Sequence, residues 1–257
     1  MKTNIVILSI LSIIMATSCA SRKDLIYFQD EPLTDGYIDS TAEQLIYKPD
    51  DILTIIVSAA DPLAAKPFNL TTFTESVDPI NANGRERMQN YLIDYNGNIE
   101  FPVLGTLHIA GMTRIELTEM LKEKISEYAK DPIVNIRLVN FKVTIIGEVN
   151  RPGTYTIENE RLSLTEALGL ASDLTIYGLR KNLLLIREVD GKKKFAKIDL
   201  TSVNSISSPL YYLQQNDVIV VEPNNAKIRS SSYNQNNSVL IAAIGTLTTI
   251  AAVFLIK

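Results

Sequence analysis

Residues 113–139 read TRIELTEMLKEKISEYAKDPIVNIRLV. This one stretch contains a helical periodicity and a strand periodicity, and together they decide the fold. Thr113 and Glu116 form a capping box, which marks the start of a helix. The apolar residues that follow recur every three or four positions and share one helical face, namely Leu117, Leu121, Ile125 and Tyr128. Residues 133–139 then alternate between apolar and polar side chains, as a half-buried strand does. The stretch therefore predicts an amphipathic helix followed by a strand.

The residues before this helix add three strands and complete a first unit. Residues 52–57, ILTIIV, are rich in β-branched side chains and follow a turn at 47–51. Residues 91–103 contain two alternating runs joined by Asn96-Gly97, which predicts a hairpin with a type I′ turn. The order strand, hairpin, helix, strand predicts a first domain over residues 41–140.

A second unit of the same kind follows. Residues 142–149 predict a strand, and Ser163 with Glu166 forms another capping box at the start of a short helix. Two further strands are joined across Asp190-Gly191, and residues 211–221 are expected to close the unit at its edge. Each unit mixes strands with one helix, and this mixture predicts the α+β class.

The second domain is expected to span residues 141–223, and it resembles the first at one point. Asp51 and Asp217 each precede a strand rich in isoleucine and valine. The likeness is too short to count as a repeat.

The N-terminus reads as a lipoprotein signal peptide over residues 1–18. Lys2 precedes an apolar run at 5–15 and a group of small residues, and the next residue is Cys19, the only cysteine in the chain. Because Cys19 has no disulfide partner within the chain, the pattern resembles a lipobox, in which the cysteine is acylated. The alternative is an ordinary secretory signal that ends in a chance cysteine. Residues 19–40 show little periodicity and predict an exposed tether.

The C-terminus predicts a membrane-spanning helix. Residues 224–237 are rich in serine and asparagine and are expected to form a linker, and a helix is expected over 238–257. Its uncharged core, residues 239–256, would be ~27 Å long as a helix, close to the hydrocarbon thickness of a bilayer. Small and hydroxyl side chains share one face and are predicted to face a pore, namely Ala242, Thr246, Thr249 and Val253. The alternative is a plain anchor, or an apolar tail docked on the protein.

Composition and motifs favour neither catalysis nor nucleic-acid binding. The 25 basic and 29 acidic residues leave a formal charge of −4, which provides no cationic field for a phosphate backbone. His108 is the only histidine, and no serine, cysteine or metal-ligand motif accompanies it. We therefore predict no catalytic, cofactor-binding or metal-ligating residue, and an enzyme is ranked last among the functions considered.

The order of several short blocks resembles that of the outer-membrane polysaccharide export lipoproteins, the Wza-like family. The first domain resembles the export domain of that family at residues 47–51, 94–97, 101–105, 111–116 and 131–134. The second domain resembles an SLBB domain, a β-grasp-like module, at residues 147–155, 164–167 and 216–221. Asp50 and Asn216 stand where the family usually has glycine in its Pro-Gly-Asp turns, and both residue types tolerate the left-handed conformation that such turns need.

The resemblance implies a function in the export of capsular polysaccharide or exopolysaccharide. It implies an outer-membrane lipoprotein with periplasmic domains, assembled as a homo-oligomeric ring whose C-terminal helices line a pore. The implied partners are the polysaccharide, outer-membrane lipid, and an inner-membrane polysaccharide co-polymerase of the tyrosine-kinase or chain-length type. A periplasmic scaffold or glycan-binding module, anchored without forming a pore, is the alternative.

Overall fold

A computed structural model describes residues 22–30, 44–74, 85–189, 191–231, 239, 242–247 and 250. Strands and helices form two domains of the predicted α+β class, each with its own hydrophobic core. The first core is built from residues between Tyr47 and Ile136, and the second from residues between Phe141 and Val221.

The first domain is organised around strand β1, Ile52–Ser58, which lies at the centre of a three-stranded antiparallel sheet. Its neighbours are β4, Asn90–Leu92, and β7, Ile133–Leu138. The remaining elements are α1 Pro62–Ala65, β2 Thr71–Thr74, β3 Arg85–Met88, β5 Asn98–Phe101, β6 Gly105–His108 and α2 Arg114–Ser126.

Helix α2 confirms the capping box and the apolar face that the sequence predicts. The Thr113 side chain accepts from the Glu116 N–H, and the Glu116 carboxylate accepts from the Thr113 N–H. These bonds satisfy backbone donors that the first helical turn leaves without partners. The side chains of Leu117, Leu121 and Ile125 are fully buried in the first core. Tyr128 lies beyond the helix end and remains 55% exposed.

The predicted hairpin across Asn96-Gly97 is wrong. Strand β5 pairs with β6, not with the residues before the turn, and Gly97 is the turn residue with positive φ. A side chain at Gly97 would meet Ala110 and His108, because its Cβ would lie 2.5 Å from the Ala110 Cβ. This close approach explains why a glycine is needed at position 97, although the turn around it is not that of a type I′ hairpin.

The second domain contains a five-stranded sheet in the order β11-β10-β12-β8-β9. The strands are β8 Lys142–Gly147, β9 Gly153–Thr156, β10 Leu183–Val189, β11 Lys192–Ile198 and β12 Val218–Val221. The predicted hairpin across residues 190–191 is confirmed, since β10 pairs with β11. Strand β12 was expected at the edge, but it lies between β10 and β8 and runs parallel to β8. Helix α3, Leu164–Leu170, begins at the predicted capping box and buries Leu164, Ala167 and Leu168.

Beyond the second domain, the expected linker includes a short helix, α4, Asn225–Ser231. Of the predicted membrane segment 238–257, only residues 239, 242–247 and 250 are described, and residues 242–247 are helical. Among the described residues, no helix combines the length and apolar character that a membrane crossing requires.

Candidate functional site

The two aspartates that precede similar strands lie in turns of the same construction. Asp50 and Asn216, directly before them, have φ values of 71° and 66°, so both occupy the left-handed region. The Asp51 carboxylate accepts from the Lys48 N–H at 2.9 Å, and the Asp217 carboxylate accepts from the Gln214 N–H at 2.8 Å. The expectation that both turns adopt the left-handed conformation is confirmed.

The two buried carboxylates differ in their charged partners. Asp217 is fully buried and forms an ion pair with Arg187, whose Nη2 lies 2.6 Å from Oδ2 and whose Nε lies 3.0 Å from Oδ1. Asp51 is 2% exposed, and its burial raises the pKa of its carboxyl group to about 6, an effect that the Lys48 N–H and the Lys48 ammonium oppose. Asp51 is therefore the carboxylate whose charge is less well compensated.

Replacing Asp51 with asparagine is expected to remove a pH-dependent loss of stability. The folded-state pKa of about 6 lies above the ordinary value of 3.8. Asp51 therefore contributes stability that is present below the ordinary pKa and is lost as the pH rises through the folded one. Asparagine keeps an acceptor for the Lys48 N–H without the charge, so D51N should gain about 1–2 kcal/mol over the wild type near neutral pH. Urea unfolding of both proteins, followed by circular dichroism at several pH values between about 4 and about 8, measures this difference.

The matched control is Asp217→Asn, which removes a carboxylate that is paired with Arg187 and should lower stability near neutral pH. An unchanged pH slope in D51N would contradict the assignment of the titrating group.

The two turns meet at the junction between the domains. The Lys48 ammonium donates to the Gln214 side-chain oxygen at 2.9 Å. Asn140, which lies between the last strand of the first domain and the first strand of the second, donates to the Asp50 carbonyl and accepts from the Ile52 N–H. Gln215 donates to the Asn140 carbonyl at 2.7 Å. These hydrogen bonds join the equivalent turns of both domains through the connecting residue.

A groove runs beside this junction. It has a cavity volume of about 610 Å³, and its lining includes the buried residues Tyr47, Ile136 and Phe141 together with the charged residues Arg137 and Glu158. Arg114, the first residue of α2, forms an ion pair with Glu160 of the second domain, and 2.7 Å separates Nε from Oε1. Because both side chains are largely exposed, this pair contributes little to stability, but it links the two walls of the groove.

Residues 22–30, which fall within the expected tether, instead form a strap on the second domain. The Phe28 and Gln29 N–H groups donate to the Leu200 and Thr201 carbonyls at 3.1 and 2.7 Å. The Asp30 carboxylate accepts from the Ser202 hydroxyl, and this bond holds its pKa below the usual range. Backbone pairing of this kind does not depend on an apolar pattern, which explains why the sequence shows no periodicity here.

Tyr27 anchors the strap to loop 172–181. Its hydroxyl donates to the Asp173 carboxylate, and the Arg180 guanidinium lies 5.1 Å from the centre of its ring. Burial is the main cause of the raised pKa of Tyr27. Asp24 pairs with Lys181 of the same loop at 3.1 Å.

The same loop also holds helix α4. The Asn224 N–H donates to the Tyr177 carbonyl at 2.7 Å, and its side-chain amide donates to the Ile176 carbonyl at 3.3 Å. The Lys227 ammonium lies 5.3 Å from the centre of the Tyr177 ring and 3.5 Å from the Glu148 carboxylate. Loop 172–181 therefore contacts both the segment that follows Cys19 and the segment that leads to residues 238–257.

The structure describes only part of the predicted site. Cys19, Thr249 and Val253 lie outside the described residues, whereas Ala242 and Thr246 fall in the helical stretch 242–247. The Thr246 hydroxyl donates to the Ala242 and Ala243 carbonyls. Ala242 and Thr246 are four positions apart in this helical stretch, so they lie on the same side of it.

His108 belongs to the β5–β6 hairpin. Its Nδ1 lies 3.0 Å from the Asn98 side-chain oxygen, and Asn98 is its partner across the hairpin.

The sequence analysis did not predict the strap, the contacts that loop 172–181 makes with it, or the Arg187–Asp217 pair. One signal for the pair was present, because Leu183, Leu185 and Arg187 occupy alternate positions of one strand. Period-two alternation places Arg187 on the buried face, where an arginine needs a carboxylate.

Comparisons with known proteins agree with this two-domain organisation. A family model described as polysaccharide biosynthesis/export protein matches residues 39–139, and a model of the SLBB domain matches residues 141–221. The EPS I polysaccharide export outer membrane protein EpsA of Ralstonia solanacearum is 27% identical over 177 residues, which are 67% of this chain and 46% of that protein. The EpsA of Ralstonia nicotianae is 27% identical over 176 residues, or 67% and 45% of the two chains. The chain thus spans about half the length of the curated relatives it matches. The matched family is a transport family and not an enzyme family, as the sequence predicts.

Proposed function

We propose that the chain forms an oligomeric channel that exports capsular polysaccharide or exopolysaccharide across the outer membrane, because residues 39–139 match the polysaccharide biosynthesis/export model and residues 141–221 match the SLBB model. Acylation at Cys19 holds each copy in the outer membrane, and the C-terminal helices of a closed ring of copies line the channel. Ala242, Thr246, Thr249 and Val253 face its lumen.

The observation that supports this proposal is the attachment of two segments, residues 22–30 and 224–227, to one loop. The strap begins three residues after Cys19, and α4 leads toward the apolar C-terminal segment. Tyr27 and Asp24 bind loop 172–181 from one end of the chain, and Asn224 and Lys227 bind it from the other. Because both attachments lie on the second domain, that one domain can sit next to the membrane when both segments are anchored there.

This arrangement supports one orientation of the molecule in the proposed assembly. The second domain lies next to the outer membrane, and the first domain extends into the periplasm. The hydrogen bonds of Asn140 and Gln215 keep the two domains in one orientation. In the proposed assembly, the far end of the first domain faces the inner-membrane polysaccharide co-polymerase.

Replacing residues 238–257 with an unrelated apolar helix of equal length is expected to abolish export of the polysaccharide to the cell surface. An unrelated helix still anchors the chain, but it lacks the small and hydroxyl side chains that helices use where they pack closely around a lumen. Surface polysaccharide measured by antibody or lectin binding to intact cells gives the result. The matched control is a helix that keeps only Ala242, Thr246, Thr249 and Val253 in the new apolar sequence, and it should restore export.

Retained export with the unrelated helix would contradict the pore and favour the membrane-anchored scaffold. The crossing itself is tested by a cysteine placed at Lys257 in a strain whose Cys19 is acylated. A membrane-impermeant thiol reagent added to intact cells labels that cysteine only if the segment crosses the outer membrane.

A further inference from the structure

The strap, loop 172–181 and α4 all lie at one end of the five-stranded sheet. Strand β12 is parallel to β8 and antiparallel to β10, which is antiparallel to β11, so β8, β11 and β12 end where β10 begins. Just beyond these strand ends, the strap bonds to the Leu200 carbonyl and the loop bonds to the Glu222 carbonyl. Helix α4 follows β12 along the chain. We call this end of the second domain, with the β8–β9 turn, the strap end. The opposite end carries Gln214 and Gln215, which bond to the domain junction.

Three elements of the strap end each expose a large apolar side chain. Leu25 of the strap is 42% exposed, Ile176 of the loop is 66% exposed, and Ile228 of α4 is 51% exposed. The loop is bonded to both other elements, because the Ile176 carbonyl accepts from Asn224 and Lys181 pairs with Asp24, the residue before Leu25. Exposed apolar side chains on neighbouring elements are typical of surfaces that contact a membrane or another protein.

The charges of the strap end distinguish between these two kinds of partner. Lys23, Arg151 and Arg229 are exposed, and among the described residues none of them has an acidic partner. Arg151 lies in the turn between β8 and β9, which is at the same end of the sheet. The acidic residues of the strap and the loop are already bonded within the chain, namely Asp24 to Lys181, Asp30 to Ser202 and Asp173 to Tyr27. The charge left over is therefore positive, which suits the phosphates of anionic lipid headgroups.

Chain length limits how far the strap end lies from the proposed anchor. An extended chain covers at most ~3.6 Å per residue, so Arg22 lies within ~11 Å of Cys19. In the proposed function, Cys19 carries acyl chains inserted in the outer membrane, which puts it at the level of the headgroups. The strap end is then the part of the second domain closest to the lipid.

We propose that the strap end is itself a lipid-binding surface, with Lys23, Arg151 and Arg229 on the headgroup phosphates and Leu25, Ile176 and Ile228 inserted among the headgroups. This inference rests on the proposed anchoring at Cys19. It adds a third membrane contact, which neither the acyl chains nor the C-terminal segment provides. Apolar insertion and attraction to anionic lipid act together at such surfaces. The contact holds the second domain upright on the membrane, because it engages three separate elements.

Tryptophan fluorescence tests this contact, since the chain has no tryptophan of its own. Full-length acylated protein with Ile176→Trp is reconstituted in vesicles of phosphatidylethanolamine and phosphatidylglycerol. Lipids brominated on the acyl chains close to the headgroup should remove about half or more of its emission, because an interfacial side chain lies at the boundary between headgroups and acyl chains. Aqueous iodide should have little effect. The control is Leu63→Trp in the first domain, where the side chain is 77% exposed, and it should respond to iodide and not to the brominated lipid.

Charge reversal tests the cations separately. Adding Lys23→Glu and Arg229→Glu to Ile176→Trp should lower the quenching by brominated lipid by about twofold or more, because two attractive charges become repulsive. The matched control adds Lys122→Glu and Lys130→Glu, two exposed positions of the first domain, and should leave the quenching unchanged. Equal quenching in both double variants would overturn the proposed role of the cations.

Three results would overturn the contact as a whole. If iodide reaches the tryptophan of Ile176→Trp as freely as that of Leu63→Trp in vesicle-bound protein, the strap end lies in water, and the channel still stands. If that tryptophan is shielded from both iodide and brominated lipid, a protein surface covers it instead of lipid. If the full-length protein does not float with the vesicles at all, the proposed anchoring itself is wrong, and the lipid contact is wrong with it.

Discussion

Replacing Arg187 with methionine is expected to lower the free energy of unfolding of the second domain by about 3–5 kcal/mol. The Arg187 side chain is 6% exposed and the Asp217 side chain is fully buried. Methionine fills much of the arginine's volume but leaves the Asp217 carboxylate buried without a cation. Arg187 also donates to the Tyr212 carbonyl at 2.9 Å, and that acceptor would lose a partner as well. Urea unfolding of the full-length protein followed by circular dichroism measures the loss.

The control for this substitution lies in the same hairpin. Lys193 pairs with Glu188 across the exposed ends of β10 and β11, where both side chains are more than half exposed. Lys193→Met should therefore change stability by less than about 0.5 kcal/mol. Adding Asp217→Asn to Arg187→Met removes the unpaired charge and should recover part of the loss. A loss below about 1 kcal/mol for Arg187→Met alone would show that the buried pair does not support the fold.

Gly147→Ala is expected to cost about 3 kcal/mol or more of stability and to reduce export with it. Gly147 ends β8 with a φ of 95°, and a Cβ there would lie 2.1 Å from the Val221 carbonyl oxygen. The colliding atom is backbone, so no side-chain rotation can relieve the contact. Strands β8 and β12 would have to separate where the Glu148 N–H donates to that same carbonyl at 3.0 Å. Because β12 leads to α4, the start of the C-terminal segment would move too.

Gly191 provides the comparison for the backbone contribution alone. It has a φ of 70°, and nothing lies within 4 Å of the position that its Cβ would occupy. Gly191→Ala should therefore lower the free energy of unfolding by about 1–2 kcal/mol, which is the cost of holding an alanine in the left-handed conformation. Thermal unfolding of the two variants side by side measures the difference, and equal losses would show that the close approach at Gly147 is not important.

The sequence predicts those elements whose signals are local. Both capping boxes begin helices where Thr113 and Ser163 place them, because the box is formed by residues three positions apart. The left-handed turns at Asp50 and Asn216 follow from the intrinsic tolerance of these residue types. The α+β class follows from the same local patterns.

The parts that the sequence does not predict depend on pairing between distant residues. Strand β12 reads as an edge strand, yet it is inserted between β10 and β8, which its own four residues cannot specify. The strap is held by backbone bonds to residues 200 and 201 and by the side chains of Asp24, Tyr27 and Asp30, whose partners lie more than 140 residues away in sequence. Arg187 and Asp217 are 30 residues apart in sequence. The sequence hints at their contact only because Arg187 occupies an inward-facing position of β10.

Loop 172–181 holds both the strap and α4, and this shared contact has a mechanical consequence for the proposed assembly. In the proposed assembly, a sideways pull from an acylated Cys19 would reach Tyr27 and Asp24, and from there it would pass along the loop to Tyr177, Asn224 and α4. Part of the load would also pass to the residues after β11, because Phe28 and Gln29 bond to the Leu200 and Thr201 carbonyls. In the proposed ring, such a pull would therefore act on the second domain of each copy before it reached the first.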